Sequence, residues 1–276
     1  MAIALSAWSC HSYFEEGWGN KEFIEFAATS GADGVELLSF HWNEEKDATE
    51  VPEALARTGL KLACFGASNN FADPDAAARS AQVDGIKSSV DIAERFGAKV
   101  VRVFAGDLRD GLAFGEVRQW IVDGLKEAAA YAADRGILLC LENHGLLAGK
   151  AEQVASIIRD VESPYLRSTF DAGNFLLVDE DPSPSVEVLK PLVRHVHVKD
   201  FAPVGEDSGE PFYRSISGQP YSGRVAGEGV VDLPYIIGEL RAGGYDGWYT
   251  IEYEGGEEQR SASIRAIANL KGFLQG

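Results

Sequence analysis

The chain has 276 residues, of which 45% are hydrophobic and 25% are charged, a composition that is ordinary for a globular protein. Asp and Glu number 43 against 25 Lys and Arg, so the formal net charge is −18. This acidity repels phosphate backbones and argues against nucleic acid as a partner, although a local surface can still bind a small anion.

The amino terminus reads "MAIALSAWSC", which is apolar but lacks the basic residues that open a signal peptide and soon becomes polar. No stretch approaches the length that spans a membrane, so a cytoplasmic protein without a membrane partner is predicted. The three cysteines, Cys10, Cys64 and Cys140, are widely separated, and reduced, buried thiols are expected.

Short apolar segments rich in β-branched residues alternate with segments of helical periodicity along the chain. The predicted strands span residues 3–8, 34–38, 61–66, 99–105, 137–142, 166–171, 193–199 and 248–252. A clear helix follows the first strand, because Asn20 can cap its start and Gly31 can end it. The helical pattern is weaker at 49–58 and 182–189, and residues 202–229 form a long connection that is expected to be ordered.

Eight strand-like segments, each followed by a helix-like one, predict parallel strands joined by crossover helices. At this length the economical closure is a (β/α)₈ TIM barrel, with residues 1–276 forming a single domain. A doubly wound open sheet is the alternative. That fold usually carries a glycine-rich phosphate turn after its first strand, and "WSCHSYF" offers none.

Acidic or imidazole side chains stand at the ends of the last four predicted strands. They are Glu142 in "LLCLENHG", Asp171 in "RSTFDAGN", His197 in "HVHVKD" and Glu252 in "WYTIEYEGG". Any one of these acids could equally be a site residue or simply a helix cap or a surface residue. Together they favour a site, because the carboxyl ends of barrel strands meet at one face. Three carboxylates and one imidazole predict a site for one divalent metal ion, with Mn²⁺ as the first choice and Mg²⁺ or Co²⁺ as alternatives.

Further side chains are predicted to bind the substrate at the same end of the barrel. Arg102 and Glu36 each have two readings, contact with the substrate or an ion pair with each other. His11 and Trp42 follow the first two strands in loops, where they are expected either to contact a sugar or to pack. Trp8 is expected in the barrel core.

His144 and Lys199 are predicted to be catalytic residues. An imidazole titrates near neutral pH, so His144 suits proton transfer. Lys199 is expected to neutralise charge on the substrate or on a leaving hydroxyl, with a structural ion pair to Asp200 or Glu228 as the alternative. His195 lies one layer deeper on the same strand and is expected to bond to a ligand carboxylate.

The segments "LENH", "FDAGN", "HVHVKD" and "IEYEG" closely resemble the sugar phosphate isomerase/epimerase family, which has a xylose isomerase-like barrel. "GVEL", "VRVFAGD" and "GEGVVDLP" look like patterns of the same family, so the resemblance covers nearly the whole chain. It implies that Glu142, Asp171, His197 and Glu252 are metal ligands. It also implies that Glu142 and Glu252 are the acid/base pair.

The sequence departs from the ketose 3-epimerases of this superfamily at one position. Those enzymes usually have His three residues after the aspartate ligand, whereas this chain has Asn174, which can hydrogen-bond a substrate hydroxyl but cannot titrate. The chain also resembles metal-dependent dehydratases such as 3-dehydroshikimate dehydratase at Arg102, His144 and Lys199.

The predicted function is therefore a metal-dependent isomerase or epimerase of a keto-sugar, which moves a proton through a metal-stabilised enediolate. A lyase that dehydrates a keto-sugar, a keto-cyclitol or a dehydroshikimate-like acid is the alternative. A sugar-binding barrel without activity is a third reading. The expected partner is a small carbohydrate, and a homo-oligomer is left open.

Overall fold

The computed structural model of the protein describes residues 1–109, 111, 112 and 114–275. Eight parallel strands form a closed barrel, and each pairs with its neighbours along the chain until the last pairs with the first. These strands are β1 (Ala2–Ser6), β2 (Gly34–Leu38), β3 (Lys61–Gly66), β4 (Val100–Val103), β5 (Leu138–Glu142), β6 (Leu166–Asp171), β7 (Val193–Val198) and β11 (Trp248–Ile251). The predicted barrel is confirmed.

Helices connect the strands and cover the outside of the barrel. They are α1 (His11–Glu15), α2 (Asn20–Ser30), α3 (Glu44–Thr58), α4 (Ala76–Arg95), α5 (Phe114–Ala133), α6 (Ala151–Val161), α7 (Asn174–Leu177), α8 (Pro182–Leu189), α9 (Leu233–Ala242) and α10 (Gln259–Gln275). Among the described residues, no helix combines the length and the hydropathy needed to cross a membrane.

The helix α3 is longer than its sequence pattern indicates. It starts five residues before the predicted segment, where Asn43 caps it by accepting a hydrogen bond from the amide of Lys46. Its first turn carries Glu44, Glu45 and Asp47, and negative charge there is stabilised by the helix dipole. This charged turn has no apolar periodicity, which is why the pattern alone finds only the second part of the helix.

The first barrel strand is shorter than predicted and ends at Ser6. The chain then enters a 3₁₀ turn at Ala7–Cys10, in which the Ser6 hydroxyl accepts a hydrogen bond from the amide of Trp8. Trp8 is therefore lifted out of the barrel core, and the expectation of a core residue is wrong. All three cysteines are buried and free, as expected.

The long connection after β7 folds into a three-stranded antiparallel sheet, called the arm here. It consists of β8 (Asp200–Pro203), β9 (Tyr213–Arg214) and β10 (Pro220–Arg224), in the order β8-β10-β9. The amide of Ile216 donates to the carbonyl of Leu177 at the end of α7, so the arm is attached to the barrel mouth.

Candidate metal centre and active-site cavity

Four ionisable side chains from β5, β6, β7 and the end of β11 converge at the carboxyl end of the barrel. Glu142, Asp171, His197 and Glu252 are all buried, and each offers one ligand atom within 4.8 Å of the others. His197 Nδ1 lies at the centre of the group, 3.7 Å from Glu142 Oε2, 3.7 Å from Asp171 Oδ2 and 3.5 Å from Glu252 Oε2. The four residues predicted as metal ligands therefore lie together in the structure.

The backbone around β6 aims Asp171 at this centre. Its Oδ1 atom accepts hydrogen bonds from the amides of Gly173 and Asn174, both at 2.9 Å, which leaves Oδ2 facing His197. The side-chain amide of Asn143 pairs with the main chain of Asp171 in both directions, at 2.7 and 2.9 Å. Asn143 was not predicted, although its place directly after Glu142 at a strand end is the signal that could have identified it.

Glu36 and His195 form a buried layer beneath the four residues. His197 Nε2 lies 3.1 Å from both carboxylate oxygens of Glu36, and His195 Nε2 lies 2.7 Å from one of them. Glu36 therefore bonds to two histidines. It has neither of its two predicted roles, which were a substrate contact and an ion pair with Arg102. His195 was expected to bond to a ligand carboxylate, and it bonds to Glu36 instead.

Lys199 extends its ammonium group into the same centre from the end of β7. Its Nζ lies 2.7 Å from Glu252 Oε2, 3.0 Å from Asp171 Oδ2 and 3.1 Å from Glu254 Oε1. The alternative reading, an ion pair with Asp200 or Glu228, is not what the structure has. Asp200 instead accepts backbone hydrogen bonds in the loop after the arm, and Glu228 pairs with Arg265.

The two glutamates of the predicted acid/base pair have different surroundings. Burial raises the pKa of Glu142 to about 7, against the lowering effect of His197 and Arg102. Burial also acts to raise the pKa of Glu252, but the charges of Lys199 and His197 hold that pKa well below its usual range. In the metal-free protein Glu142 therefore holds a proton more readily than Glu252.

Above the centre lies a cavity of about 290 Å³ with a polar floor and an apolar wall. The floor contains Glu142, Glu252, Lys199, Arg102, His144, Asn174 and Glu254. The apolar wall contains Trp8, Leu38, Phe40, Phe104, Leu177 and Tyr213, of which Tyr213 belongs to the arm. Larger openings lie at the other end of the barrel, around Lys61 and Trp248, but none of the four converging residues lines them.

Besides Glu142, Glu252 and Lys199, three more of the residues predicted to bind substrate or act in catalysis line this cavity. Arg102 places Nε 3.2 Å from Glu142 Oε2, donates from Nη1 to the carbonyl of Ala67, and packs over the ring of Phe104 at 4.0 Å. Asn174 donates to Glu142 Oε1 at 3.0 Å. His144 lies beside Phe104, and the two ring centroids are 4.8 Å apart.

Two other predicted substrate contacts do not reach the cavity. His11 stacks on Trp8 at 4.9 Å and contacts Gln259. Trp42 packs edge-on against Phe65 and donates its indole N–H to Glu44, on the outer side of β2. Both occupy packing positions, the alternative considered for them.

Seven of the residues that line the cavity were not predicted as site residues, namely Trp8, Leu38, Phe40, Phe104, Leu177, Tyr213 and Glu254. Glu254 could have been found, because strand alternation puts it on the same face as Glu252. Phe40, Leu177 and Tyr213 carry no such signal, since each reaches the cavity from a turn, a short helix or the arm. Their position depends on tertiary folding and not on a local pattern.

The converging residues fit a bound divalent cation. Among the described residues, His197 Nδ1 is a buried side-chain atom without a hydrogen-bond partner, and it faces the Oδ2 atom of Asp171 across the centre. Burial opposes charge on His197, yet the surrounding carboxylates of Glu36, Glu252 and Glu142 hold its pKa well above the usual value. Such a site attracts positive charge, and its oxygen-rich donor set suits Mn²⁺ or Mg²⁺.

Comparison with known proteins agrees with this architecture. L-ribulose-5-phosphate 3-epimerase UlaE of Escherichia coli is 26% identical over 245 residues, which cover 84% of this chain and 81% of the relative. A D-tagatose 3-epimerase-like protein superimposes with a TM-score of 0.81 at 22% identity, covering 100% of this chain and 97% of that one. The probable 3-DHS dehydratase AsbF of Bacillus anthracis superimposes with a TM-score of 0.76 at 20% identity, covering 98% and 99%.

The predicted class of enzyme, an isomerase or epimerase, agrees with the epimerase named for the UlaE relative. The family model described as xylose isomerase-like TIM barrel matches residues 24–271, which is most of the barrel. The chain therefore belongs to the xylose isomerase-like TIM barrel family.

Proposed function

We propose that this protein is a divalent-metal-dependent epimerase or isomerase of a keto-sugar. The observation that carries the proposal is that Glu142 and Glu252 line one cavity and converge with Asp171 and His197 beneath it. A divalent cation held there would supply a Lewis acid for the substrate carbonyl and for the negative charge that develops when a proton is removed. The four converging residues would hold that cation.

Glu142 and Glu252 are proposed to exchange a proton with the substrate carbon. Both line the cavity from different strands, so one can remove a proton from one face while the other returns it to the opposite face. Return to the same carbon gives epimerisation, and return to the neighbouring carbon gives isomerisation. Asn174 and Arg102 hold Glu142 in place through its two carboxylate oxygens.

Exchange of hydrogen with solvent tests this role. In deuterium oxide with Mn²⁺, we expect deuterium to enter the recovered sugar, and chelation to abolish its entry. Glu142→Gln and Glu252→Gln are each expected to slow exchange by about 10²- to 10⁴-fold, the usual contribution of a general acid or base. Glu257→Gln is the matched control, because Glu257 pairs with Arg265 on the surface. Exchange that survives both cavity substitutions contradicts the proposed mechanism.

A lyase on the same scaffold is the second candidate, and the position of Lys199 favours it. The ammonium group lies on the cavity floor beside Glu252, where it can neutralise a departing hydroxyl. A dehydratase of this kind converts 3-dehydroshikimate into a product with a new conjugated double bond. An increase in the ultraviolet absorbance of that product, with no deuterium in the recovered substrate, supports the lyase and contradicts the epimerase.

A further inference from the structure

We propose that the sugar accepted by this cavity carries no phosphate group, and that its end remote from the metal centre packs against the apolar wall. This inference rests on the proposed function, because it concerns the substrate of the same site. It follows from where the cationic side chains and backbone amides around the cavity direct their hydrogen bonds.

The cations on the cavity floor are already paired with carboxylates. Arg102 lies beside Glu142 and donates to a backbone carbonyl, and it is 3% exposed. Lys199 is also 3% exposed and lies within 3.1 Å of three carboxylates. Turning Arg102 toward a phosphate would break its contacts with Glu142 and the Ala67 carbonyl. Turning Lys199 would leave Glu254 without its cation even when a metal ion binds Asp171 and Glu252, which is costly.

His144 is the remaining basic side chain among the described residues that line the cavity. Its Nδ1 lies 4.0 Å from Asp107 Oδ1, so the imidazole shares its position with a negative charge. Glu254 adds a further negative charge to the cavity lining. A phosphate dianion at this position would therefore meet repulsion from Asp107 and Glu254.

The backbone amides that bind phosphate in many barrels are occupied as well. Such phosphate sites form in the loops after the seventh and eighth strands. Here the Asp200 carboxylate accepts hydrogen bonds from Gly227, Gly229, Val231 and Phe201, all at 2.9 to 3.1 Å. A Cβ at Gly229 would clash with this carboxylate. The amides of the "GEG" loop therefore already bind the Asp200 side chain.

The helix starts near the cavity are also capped by side chains. After the eighth strand, Glu258 accepts hydrogen bonds from the amides of Arg260 and Ser261 at the start of α10. At the start of α7, the amides of Gly173 and Asn174 both donate to Asp171. Neither helix start presents these amides to an incoming phosphate.

The wall opposite the polar floor suits the carbon face of an uncharged sugar or a small apolar substituent. Phe40 is 51% exposed and meets Trp8 edge-on at 5.9 Å, while Leu177 and Tyr213 close the side nearest the arm. The indole N–H of Trp8 donates to Glu254, and His11 stacks on the ring, so the indole is held in place as part of the wall. The cavity of about 290 Å³ is at the small end of ligand sites and suits a monosaccharide.

Paired probes test this inference on the Mn²⁺-loaded protein. Calorimetry measures the affinity for L-ribulose against L-ribulose 5-phosphate and for D-fructose against D-fructose 6-phosphate, and deuterium incorporation is followed for the same four sugars. We expect the free sugar of at least one pair to bind ten-fold or more tightly than its phosphate and to be the form that exchanges. Equal or tighter binding of both phosphates overturns the inference, even where exchange upholds the proposed function.

The two proposals fail in different ways in this experiment. Preferential binding of free sugars without deuterium exchange supports the inference and contradicts the proposed function. Binding of none of the four sugars contradicts both.

A gain of phosphate binding provides the second test. Phe40→Arg adds a cation at the exposed end of the apolar wall, and we expect it to shift the affinity ratio about five-fold toward the phosphate, as for one exposed ion pair. Phe40→Gln is the matched control, because it removes the same ring without adding a charge, and it is expected to shift the ratio by less than Phe40→Arg does. An unchanged ratio in Phe40→Arg would overturn the assignment of this wall to the far end of the sugar.

Discussion

Lys199 is the side chain whose role is least evident from the sequence. Its ammonium group contacts Asp171 and Glu252 through Oδ2 and Oε2, the same oxygens that face His197 Nδ1. It therefore occupies part of the electrostatic position that a metal ion would take. Lys199 and the metal are expected to compete for these carboxylates, with Glu254 holding the lysine when the metal is bound.

Replacing Lys199 with Met tests this competition. Loss of the ammonium group leaves three carboxylates without their cation, so the metal-free variant is expected to lose about 3 to 5 kcal/mol of unfolding free energy. Added Mn²⁺ should stabilise the variant more than the native protein, because no ammonium group is displaced. Denaturant unfolding with and without Mn²⁺ measures both effects.

Lys190→Met is the matched control for this substitution. Lys190 also lies between two carboxylates, those of Glu187 and Glu239, but it does so on the surface. We expect a loss below about 1 kcal/mol and no change in the response to Mn²⁺. An equal Mn²⁺ response in Lys199→Met and the native protein would rule out the competition.

Glu36 is expected to set the affinity for metal without touching the metal. Its carboxylate lies 3.1 Å from His197 Nε2, so it favours the tautomer that leaves Nδ1 free to bind. We expect Glu36→Gln to weaken Mn²⁺ binding by about 10- to 100-fold, measured by calorimetry. Asp47→Asn is the control, because Asp47 is equally buried but bonds to Asn20 outside the barrel. Loss of metal affinity in both variants would point to general destabilisation.

The distinction between Glu36 and Glu142 shows how far strand alternation predicts a site. Alternation identifies the inward-facing residues, and it correctly selected both glutamates. It does not give the depth at which each lies in the barrel. That depth depends on the register of neighbouring strands, which shifts between Val35 and Glu36 and again between Ser168 and Thr169. Sequence periodicity carries no information about these shifts.

Among the secondary-structure elements, the arm is the part whose contribution to the site was not predicted. The sequence of residues 202–229 indicates order through its aromatic side chains, and those residues fold as β8, β9 and β10. Tyr213 lies on the hairpin of β9 and β10, and that hairpin is attached through the pairing of β10 with β8, which joins residues as distant as Asp200 and Arg224. Such pairing has no short turn signal, so the sequence could not reveal it.

The start of helix α10 is expected to make the stability of the protein depend on pH. Glu258 precedes the helix and accepts hydrogen bonds from Tyr13 and from the amides of Arg260 and Ser261. Burial acts to raise the pKa of Glu258, but these hydrogen bonds lower it to about 2. The folded pKa lies below the unfolded value of about 4.3, so the stabilisation is complete above that value and is lost as the pH falls toward 2.

Glu258→Gln should therefore lower the unfolding free energy by about 1 kcal/mol at pH 7, the usual effect of a lost cap. The difference from the native protein should shrink steadily between pH 4.3 and pH 3. Urea unfolding across this range measures it, with Glu257→Gln as a neighbouring control that caps no amide. A difference that stays constant with pH would show that the charge of Glu258 does not stabilise the helix.

At the scale of the whole molecule, the candidate ligands all come from one half of the barrel. Glu142, Asp171, His197 and Glu252 lie on or directly after β5, β6, β7 and β11, which are consecutive in the closed sheet. This grouping could be predicted because parallel strands end at one face and each repeat follows its neighbour around the barrel. Barrel closure is the step that turns four distant sequence positions into one cluster.

A metal ion bound by these residues would link four strands that are otherwise joined by backbone hydrogen bonds and packing. Binding to the native state raises the free energy of any opening that separates the ligands. We expect Mn²⁺ to slow amide hydrogen exchange most strongly in β5, β6, β7 and β11. Strands β3 and β4 supply none of the four ligands, so their exchange should slow less.

Hydrogen exchange followed by mass spectrometry with and without Mn²⁺ measures this asymmetry across the barrel. His197→Gln is the control, because it removes the central ligand and should reduce the protection in all four strands together. Equal protection of β3 and β6 would mean that the barrel opens as one cooperative unit. Protection confined to β7 would instead mean that the metal does not join the four strands, and the ligand set proposed here would have to be revised.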